Sequence, residues 1–212
     1  MYYQLLSAAE RDAIIQSHLR EWLGPLGLNE IIPRRWVDGS QPPARRIFEL
    51  QLLKGAGLGA LWGFSLDFVP HISGGSLRWH RSDKTAMADA VIIQTDLPQP
   101  DYIHGPDNLI QGLRSLLPLA IARAKDSWRR GATLPGMLEL VREIRDGRPN
   151  HFPYDNLTQM PLAYAFLSAK TGDLQVAESE LDRYVSEPVH GIDPDVAARL
   201  KKLARDYAAS SI

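Results

Sequence analysis

The chain has 212 residues, of which 44% are hydrophobic and 23% are charged, as in an ordinary globular protein with a sizeable core. It contains no cysteine, which excludes disulfides, thiolate metal sites and cysteine nucleophiles. The formal net charge of -1 disfavours a general polyanion binder. The N-terminal segment lacks a secretory signal pattern, and no apolar run approaches the roughly 18 residues of a membrane span. We therefore expect a cytoplasmic protein that does not bind membranes.

The first predicted element is a helix that begins near Ser7. Ser7 and Glu10 have the spacing of a capping box, in which each side chain accepts a hydrogen bond from the other residue's backbone N–H. Gly24 and Pro25 end the helix, because proline cannot continue its hydrogen-bond ladder. Residues at helical spacing between these ends are Ile14, Ile15, His18, Leu19 and Trp22.

Between about residues 31 and 96 the apolar residues alternate, which is typical of half-buried strands. In SLRWHR the alternation sets Trp79 on the opposite face from Arg78 and His80. Glycine, proline and serine turns between the segments predict an antiparallel meander of four to five strands. PRRWVDG is expected to be an edge strand. The predicted strand segments are PRRWVDG, RRIFELQLLK, LWGFSLDFV, SLRWHR and ADAVIIQTD.

From about residue 105 onward the apolar period becomes helical. HFPYDN, residues 151–156, is expected to be a loop. Residues 106–131 are expected to form either one long helix or a pair of helices with a kink at Pro118. The other predicted helices are 134–147, two helices that flank Gly172 and Asp173, and a last helix capped by Asp193.

The order of elements predicts an α+β fold rather than alternating βαβ units. Residues 1–104 would form a helix and an antiparallel sheet, and residues 105–212 would form a helical part that packs on the sheet. We expect the two parts to make one compact unit.

The glycine-rich stretch KGAGLGALWG, residues 54–63, is a candidate nucleotide-binding loop. Gly55, Gly57 and Ala60 fit a loose G-x-G-x-x-[GA] pattern, but this motif binds phosphate only where a helix begins directly after the glycines. The residues that follow alternate like a strand, so the stretch predicts a turn between two strands. Gly55, Gly57 and Gly59 remain candidates for a mobile binding loop.

Basic and aromatic residues alternate along the predicted sheet, where residues 34–84 carry eight Lys or Arg against four Asp or Glu. Such residues can stack bases and hold phosphates. The whole chain lacks the basic surplus of a nucleic-acid binder, so a solvated face paired with nearby acids is favoured over nucleic acid. The candidate binding residues here are Arg34, Trp36, Arg78, Trp79 and Arg81.

The candidate catalytic residues are two histidines and their charged neighbours. None of the six histidines belongs to an H-x-x-x-H or HExxH motif, so no metal site and no cofactor are expected. His71 and His80 flank one predicted hairpin, and with Asp67 and Arg78 they are the candidates for acid–base chemistry. Chance proximity across a turn is the favoured interpretation. The sequence also lacks a G-x-S-x-G nucleophile motif and a Walker loop.

Two resemblances concern architecture. Ala165, Ala177, Leu181 and Tyr184 resemble positions of one tetratricopeptide repeat, which predicts a helical hairpin rather than a peptide-binding array. The whole chain, with FELQLLKG in the sheet and YAFLSAKTGD in the helical tail, resembles uncharacterised bacterial domain-of-unknown-function families. This resemblance implies a fold and supplies no catalytic residues.

The leading hypothesis is a non-enzymatic binding or protein-interaction module, whose partner is another protein. One alternative is a hydrolase-like or metal-dependent enzyme that gathers His71, His80, Asp67 and Arg78 in a cleft between sheet and helices. A second alternative is a nucleic-acid-binding module that uses the Arg/Trp-rich segment.

Overall fold

The structure is a computed structural model that describes residues 6–39, 43–93, 96–147 and 159–210. The predicted loop HFPYDN and its His151 lie outside these residues. Helix α1 spans Ala8–Leu23 and begins with the predicted capping box, in which the Ser7 N–H donates to Glu10 at 2.9 Å. A short 3-10 turn, Gly24–Leu26, ends it where the sequence predicts.

The predicted α+β fold is confirmed, with an N-terminal helix, a five-stranded antiparallel sheet and a helical C-terminal part. The strands are β1 (Asn29–Ile32), β2 (Arg35–Asp38), β3 (Ala44–Leu52), β4 (Leu58–Leu66), β5 (His71–Ser73), β6 (Ser76–Arg78) and β7 (Ala90–Ile93). The spatial order of the sheet is β1-β2-β3-β4-β7, and β5 and β6 form a separate hairpin.

Two details of the strand prediction are wrong. The segment PRRWVDG forms β2, which lies inside the sheet, because the short and bulged strand β1 takes the edge position. SLRWHR lies outside the main sheet and pairs with β5. Its strand ends at Arg78, so strand alternation does not set the directions of Trp79 and His80.

The glycine stretch is the predicted turn between β3 and β4. The Leu53 N–H donates to the Gly57 carbonyl at 2.8 Å, and the backbone takes positive φ at Gly55 (80°) and Ala56 (65°). Strand β4 begins directly afterwards, so Gly59 lies in a strand rather than in the loop. No helix follows the glycines, which removes the physical basis of a dinucleotide fingerprint.

The helices of the C-terminal part are α2 (Pro106–Arg130), α3 (Leu134–Asp146), α4 (Gln159–Lys170), α5 (Leu174–Ser186) and α6 (Pro194–Ala209). Helix α4 is the apolar helix that the others surround. Helix α2 contacts α1 and β4, α3 and α4 contact β7, and α5 and α6 pack on α4. Helix α2 continues as one element through Pro118. Among the described helices, none has both the length and the apolar stretch needed to cross a bilayer.

The two faces of the sheet are covered differently. On one face, Phe48, Trp62 and Phe64 join the main core, which includes buried side chains of all six helices. On the other face, Val37 and Ile47 form a small cluster with Ala86. Ala86 belongs to residues 67–89, which we call the strap. The strap contains the β5–β6 hairpin. Its part around Ala86 lies on this second face, whereas Phe68 and Val69 are buried in the main core.

Candidate functional site

A buried arginine holds the strap on the sheet. Arg45 of β3 is only 6% exposed, and each of its three guanidinium nitrogens donates a hydrogen bond. The acceptors are Asp83 at 2.8 Å, Asp67, and the Arg81 carbonyl at 2.6 Å. Burial lowers the pKa of Arg45, but the bonds to Asp67 and Asp83 outweigh it and raise that pKa above its usual value. Asp67, a predicted catalytic candidate, is therefore committed to an ion pair.

His71 and His80 lie together, as the predicted hairpin suggests, with ring centroids 4.1 Å apart and planes at 76°. Their carboxylate neighbour is Asp89. Asp89 is fully buried and accepts hydrogen bonds from the Leu66 N–H at 2.6 Å and from His71 Nε2 at 2.8 Å. Burial raises the pKa of Asp89. Burial, followed by the proximity of His71, lowers the pKa of His80.

This histidine cluster connects the strap to β4. His71 is 7% exposed, and its ring contacts Asp89 and His80. The fourth catalytic candidate, Arg78, is exposed on β6. Within the described ranges, no group of three or more His, Asp or Glu side chains could hold a metal ion. The hydrogen bonds to the buried Asp89 satisfy its polar atoms and fix the strap relative to β4.

The structure distributes the other candidate binding residues over separate regions. Trp36 is buried in the main core, because period-two alternation turns it toward the helices. Arg34 lies in the β1–β2 turn with φ of 70° and donates to Asp12 at 2.7 Å. In the strap, Arg81 lies 5.1 Å from the Trp79 ring centroid. These residues do not form one stacking surface.

The glycine loop is attached to the segment that precedes α2. The Leu58 N–H donates to the Pro100 carbonyl at 2.7 Å, and the Tyr102 N–H donates to the Ala56 carbonyl at 3.0 Å. Gly55 is exposed, whereas Gly57 and Gly59 are half-buried. Two backbone hydrogen bonds thus attach the turn to residues 100–102.

A different feature has the shape of a ligand site. A cavity of about 460 Å³ lies where the β3–β4 pair meets the turn between α2 and α3, and we call it the basic cavity. Three of its described lining residues are cationic, and none is acidic. The lining residues are Pro43, Ala44, Arg46, Phe64, Lys125, Trp128, Arg129, Gly131, Ala132, Leu134 and Met137.

Local structure explains how these side chains converge. Lys125 and Arg129 are four residues apart on α2 and so share one face of the helix. Trp128 is buried, and its Nε1–H donates to the Gly63 carbonyl of β4 at 3.1 Å. Gly131 ends α2, and a Cβ at this position would collide with the Phe64 ring. The absence of a side chain there lets the α2–α3 turn approach the sheet.

The charge of the basic cavity is only partly neutralised. Arg46 donates to the buried carboxylate of Asp38 at 2.8 Å, and its guanidinium lies 5.4 Å from the Trp128 ring centroid. Arg129 pairs with the exposed Asp126. Lys125 is exposed and has no ion pair or hydrogen bond with any side chain or backbone group in the part of the chain that the structure describes.

The helix ends make opposing contributions to this potential. Helix α3 begins at the basic cavity, with Leu134 and Met137 of its first turn in the lining, and a helix N-terminus favours anions. Helix α2 ends there and contributes the opposite sign. Because the two helix ends act in opposite senses, the clearest source of positive charge in the lining is its three cationic side chains.

Lys125, Trp128 and Arg129 are not among the residues that the sequence predicts to be functional. The segment KDSWRRGATLP carries a basic and aromatic helix end, but basic residues are common in the last turn of any helix. Only the approach of this turn to the ends of β3 and β4 creates the cavity, and that approach is a long-range feature.

Comparison of the chain with protein-family models, with curated proteins and with solved structures yields no match. Function is therefore inferred from the chemistry of the basic cavity and of the strap.

Proposed function

We propose that this protein is a non-enzymatic binding module whose ligand occupies the basic cavity. The observation that carries this proposal is the lining itself. It combines apolar side chains with cationic groups, and its described residues include no carboxylate, imidazole or hydroxyl group. Binding sites need a concave apolar surface with a few polar groups, whereas most acid–base and nucleophilic sites also use a carboxylate, imidazole or hydroxyl group beside the substrate.

The dimensions of the cavity support this proposal. Ligand cavities are typically about 300–1,000 Å³, and the basic cavity has about 460 Å³. Its walls are a paired strand segment and two helix ends, which hold side chains more precisely than loops do. The ligand is either a free small molecule or a side chain of a partner protein. A cytoplasmic location belongs to the same proposal.

The enzymatic alternative has less support. It requires His71, His80, Asp67 and Arg78 to share a cleft. Asp67 instead pairs with Arg45, and Asp89 closes one side of His71. The nucleic-acid alternative also has less support, because Trp36 is buried and Arg34 pairs with Asp12.

Fragment binding followed by NMR tests the proposal. We expect the fragments that bind to shift the amide signals of Gly131 and Ala132 and the indole N–H signal of Trp128. Ala132→Trp fills the mouth of the basic cavity and should abolish these shifts. Ala122→Trp is the matched control, because Ala122 is exposed on α2 but does not line the cavity.

The proposal is wrong if binding fragments cluster elsewhere, such as around His80. It is also wrong if Ala132→Trp and the Ala122→Trp control bind the fragments equally well.

A further inference from the structure

The charged residues of the basic cavity share one sign although they come from different elements. Arg46 comes from β3, whereas Lys125 and Arg129 come from α2. The carboxylates that pair with two of them lie outside the lining, with Asp38 buried and Asp126 on the outer surface of α2. An entering ligand therefore meets cations and no carboxylate among the described lining residues.

Lys125 is the one cation of the basic cavity that has no ion pair or hydrogen bond with any described residue. Its ammonium group has three N–H donors, and no described residue accepts from them. Arg46, in contrast, already donates to Asp38 and to the Leu26 carbonyl. An anion at the mouth of the basic cavity would thus gain charge-assisted hydrogen bonds from Lys125 without breaking an existing ion pair.

The apolar part of the lining favours a ligand whose anionic group is attached to an apolar body. Leu134 and Met137 belong to the first turn of α3, and Phe64 and Trp128 contribute aromatic atoms. Burial of apolar ligand surface against these side chains adds affinity that a bare inorganic ion cannot gain. The lining therefore suits a small molecule with an apolar body and one charged end.

We infer that the ligand is a small organic anion whose carboxylate or phosphate lies at Lys125 and whose apolar body lies against the α2–α3 turn. This inference rests on the proposed function and specifies its ligand class. A competing interpretation is that Lys125 and Arg129 only complement the negative end of α2. That role requires no preference for anions inside the basic cavity, so the two interpretations predict different binding results.

Three related probes test the inference: phenyl phosphate, benzoate and the neutral benzamide. NMR titration at low ionic strength should show that both anions saturate the Gly131 and Ala132 signals. We expect them to bind about ten-fold more tightly than benzamide, which corresponds to a charge-assisted hydrogen bond. Added salt should reduce this preference, because it screens exposed charges. The anion that binds more tightly shows whether the site prefers a carboxylate or a phosphate.

Lys125→Gln provides the variant test. It should weaken anion binding about ten-fold and leave benzamide binding unchanged. Lys54→Gln makes the same charge change at an exposed residue outside the basic cavity and should have no effect. Because Lys125 is exposed and unpaired among the described residues, its replacement should not unfold the protein.

These experiments distinguish failure of the ligand inference from failure of the proposed function. Equal binding of benzamide and the anions, or an unchanged anion affinity in Lys125→Gln, would overturn the inference and leave the proposed function intact. Binding of neutral fragments without binding of either anion would also overturn the inference alone. If neither the probes nor any fragment shifts the cavity signals, the proposed function fails as well.

Discussion

The strap and helix α4 both pack against the sheet, but different interactions hold them in place. The strap buries Phe68 and Val69 in the main core and adds directional polar contacts to this packing. In these contacts Arg45 binds Asp67 and Asp83, and Asp89 accepts from the Leu66 N–H of β4. Helix α4 is apolar all round, and every residue from Met160 to Ala169 is buried. Helix α4 contacts β7 and three other helices.

The strap and α4 should therefore respond differently to the loss of a side chain. Loss of one partner from the strap network leaves another buried or half-buried charge without compensation. Loss of a side chain from α4 leaves a cavity whose cost depends on how far its neighbours relax. The strap should respond to pH because the pKa of His80 is lowered and the pKa of Asp89 is raised, whereas the apolar packing of α4 should not.

The largest expected effect is in α4. Phe166 is fully buried, so Phe166→Ala removes apolar burial and leaves a void, which should lower the free energy of unfolding by about 4 kcal/mol. Urea unfolding measures this loss. Leu119→Ala is the control, because Leu119 is 48% exposed and its truncation should cost less than about 0.5 kcal/mol. Similar losses for both variants would contradict the central position of α4.

The next effect concerns the strap. Arg45→Met keeps the apolar stem but removes all three guanidinium donors, and we expect a loss of about 3 kcal/mol. Hydrogen exchange should accelerate in residues 67–89 more than in α4. Asp83→Asn should cost less, because Asp83 is an exposed partner. Uniform acceleration along the chain would indicate that Arg45 does not act on the strap in particular.

The third effect is a pH dependence. The pKa of His80 is lower in the folded protein than the ordinary value of about 6.5. The unfolded state therefore binds more protons as pH falls through about 6.5, and the folded state loses stability there. Asp89 acts in the opposite sense. Its pKa is raised, so its contribution to stability is present at low pH and is lost as pH rises through the folded-state pKa.

His80→Gln separates the two contributions. It should remove the loss of stability that urea unfolding detects between pH 7 and pH 5.5. The charged or polar neighbours of His80 are His71, Arg35 and the Thr85 carbonyl, and Asp89 lies beyond His71. A slope that persists in His80→Gln would assign the pH response to another group.

The smallest effect tests local helix capping, outside both regions. Ser7→Ala removes the acceptor for the Glu10 N–H and should lower stability by about 1 kcal/mol. Ser7→Asp retains an N-cap acceptor and should recover most of that loss. An equal loss in both variants would show that the capping hydrogen bond contributes little.

Local patterns made much of the fold predictable. The capping box of α1, the β3–β4 turn and the N-cap at Asp193 each depend on residues close together in sequence. Period-two alternation likewise placed Phe48 and Trp62 on one face of adjacent strands. The helical hairpin at Gly172 was predictable for the same reason, because a glycine with φ of 91° separates two apolar helical runs.

The remainder depends on contacts between distant segments. Strand β1 is short and bulged, so its apolar pattern is too brief to indicate a strand. Asp89 is an ordinary carboxylate in the sequence, and only the folded strap brings it to His71. The basic cavity requires Arg46 and Lys125 to meet across 79 positions of the chain, which no local pattern encodes.

A crystal structure of the protein grown with phenyl phosphate tests the central claim most directly. We expect the phosphate group within about 3 Å of Lys125 Nζ, with the phenyl ring against Leu134 and Met137. Phenyl phosphate bound at a different surface, with the basic cavity free of it, would contradict the inferred site.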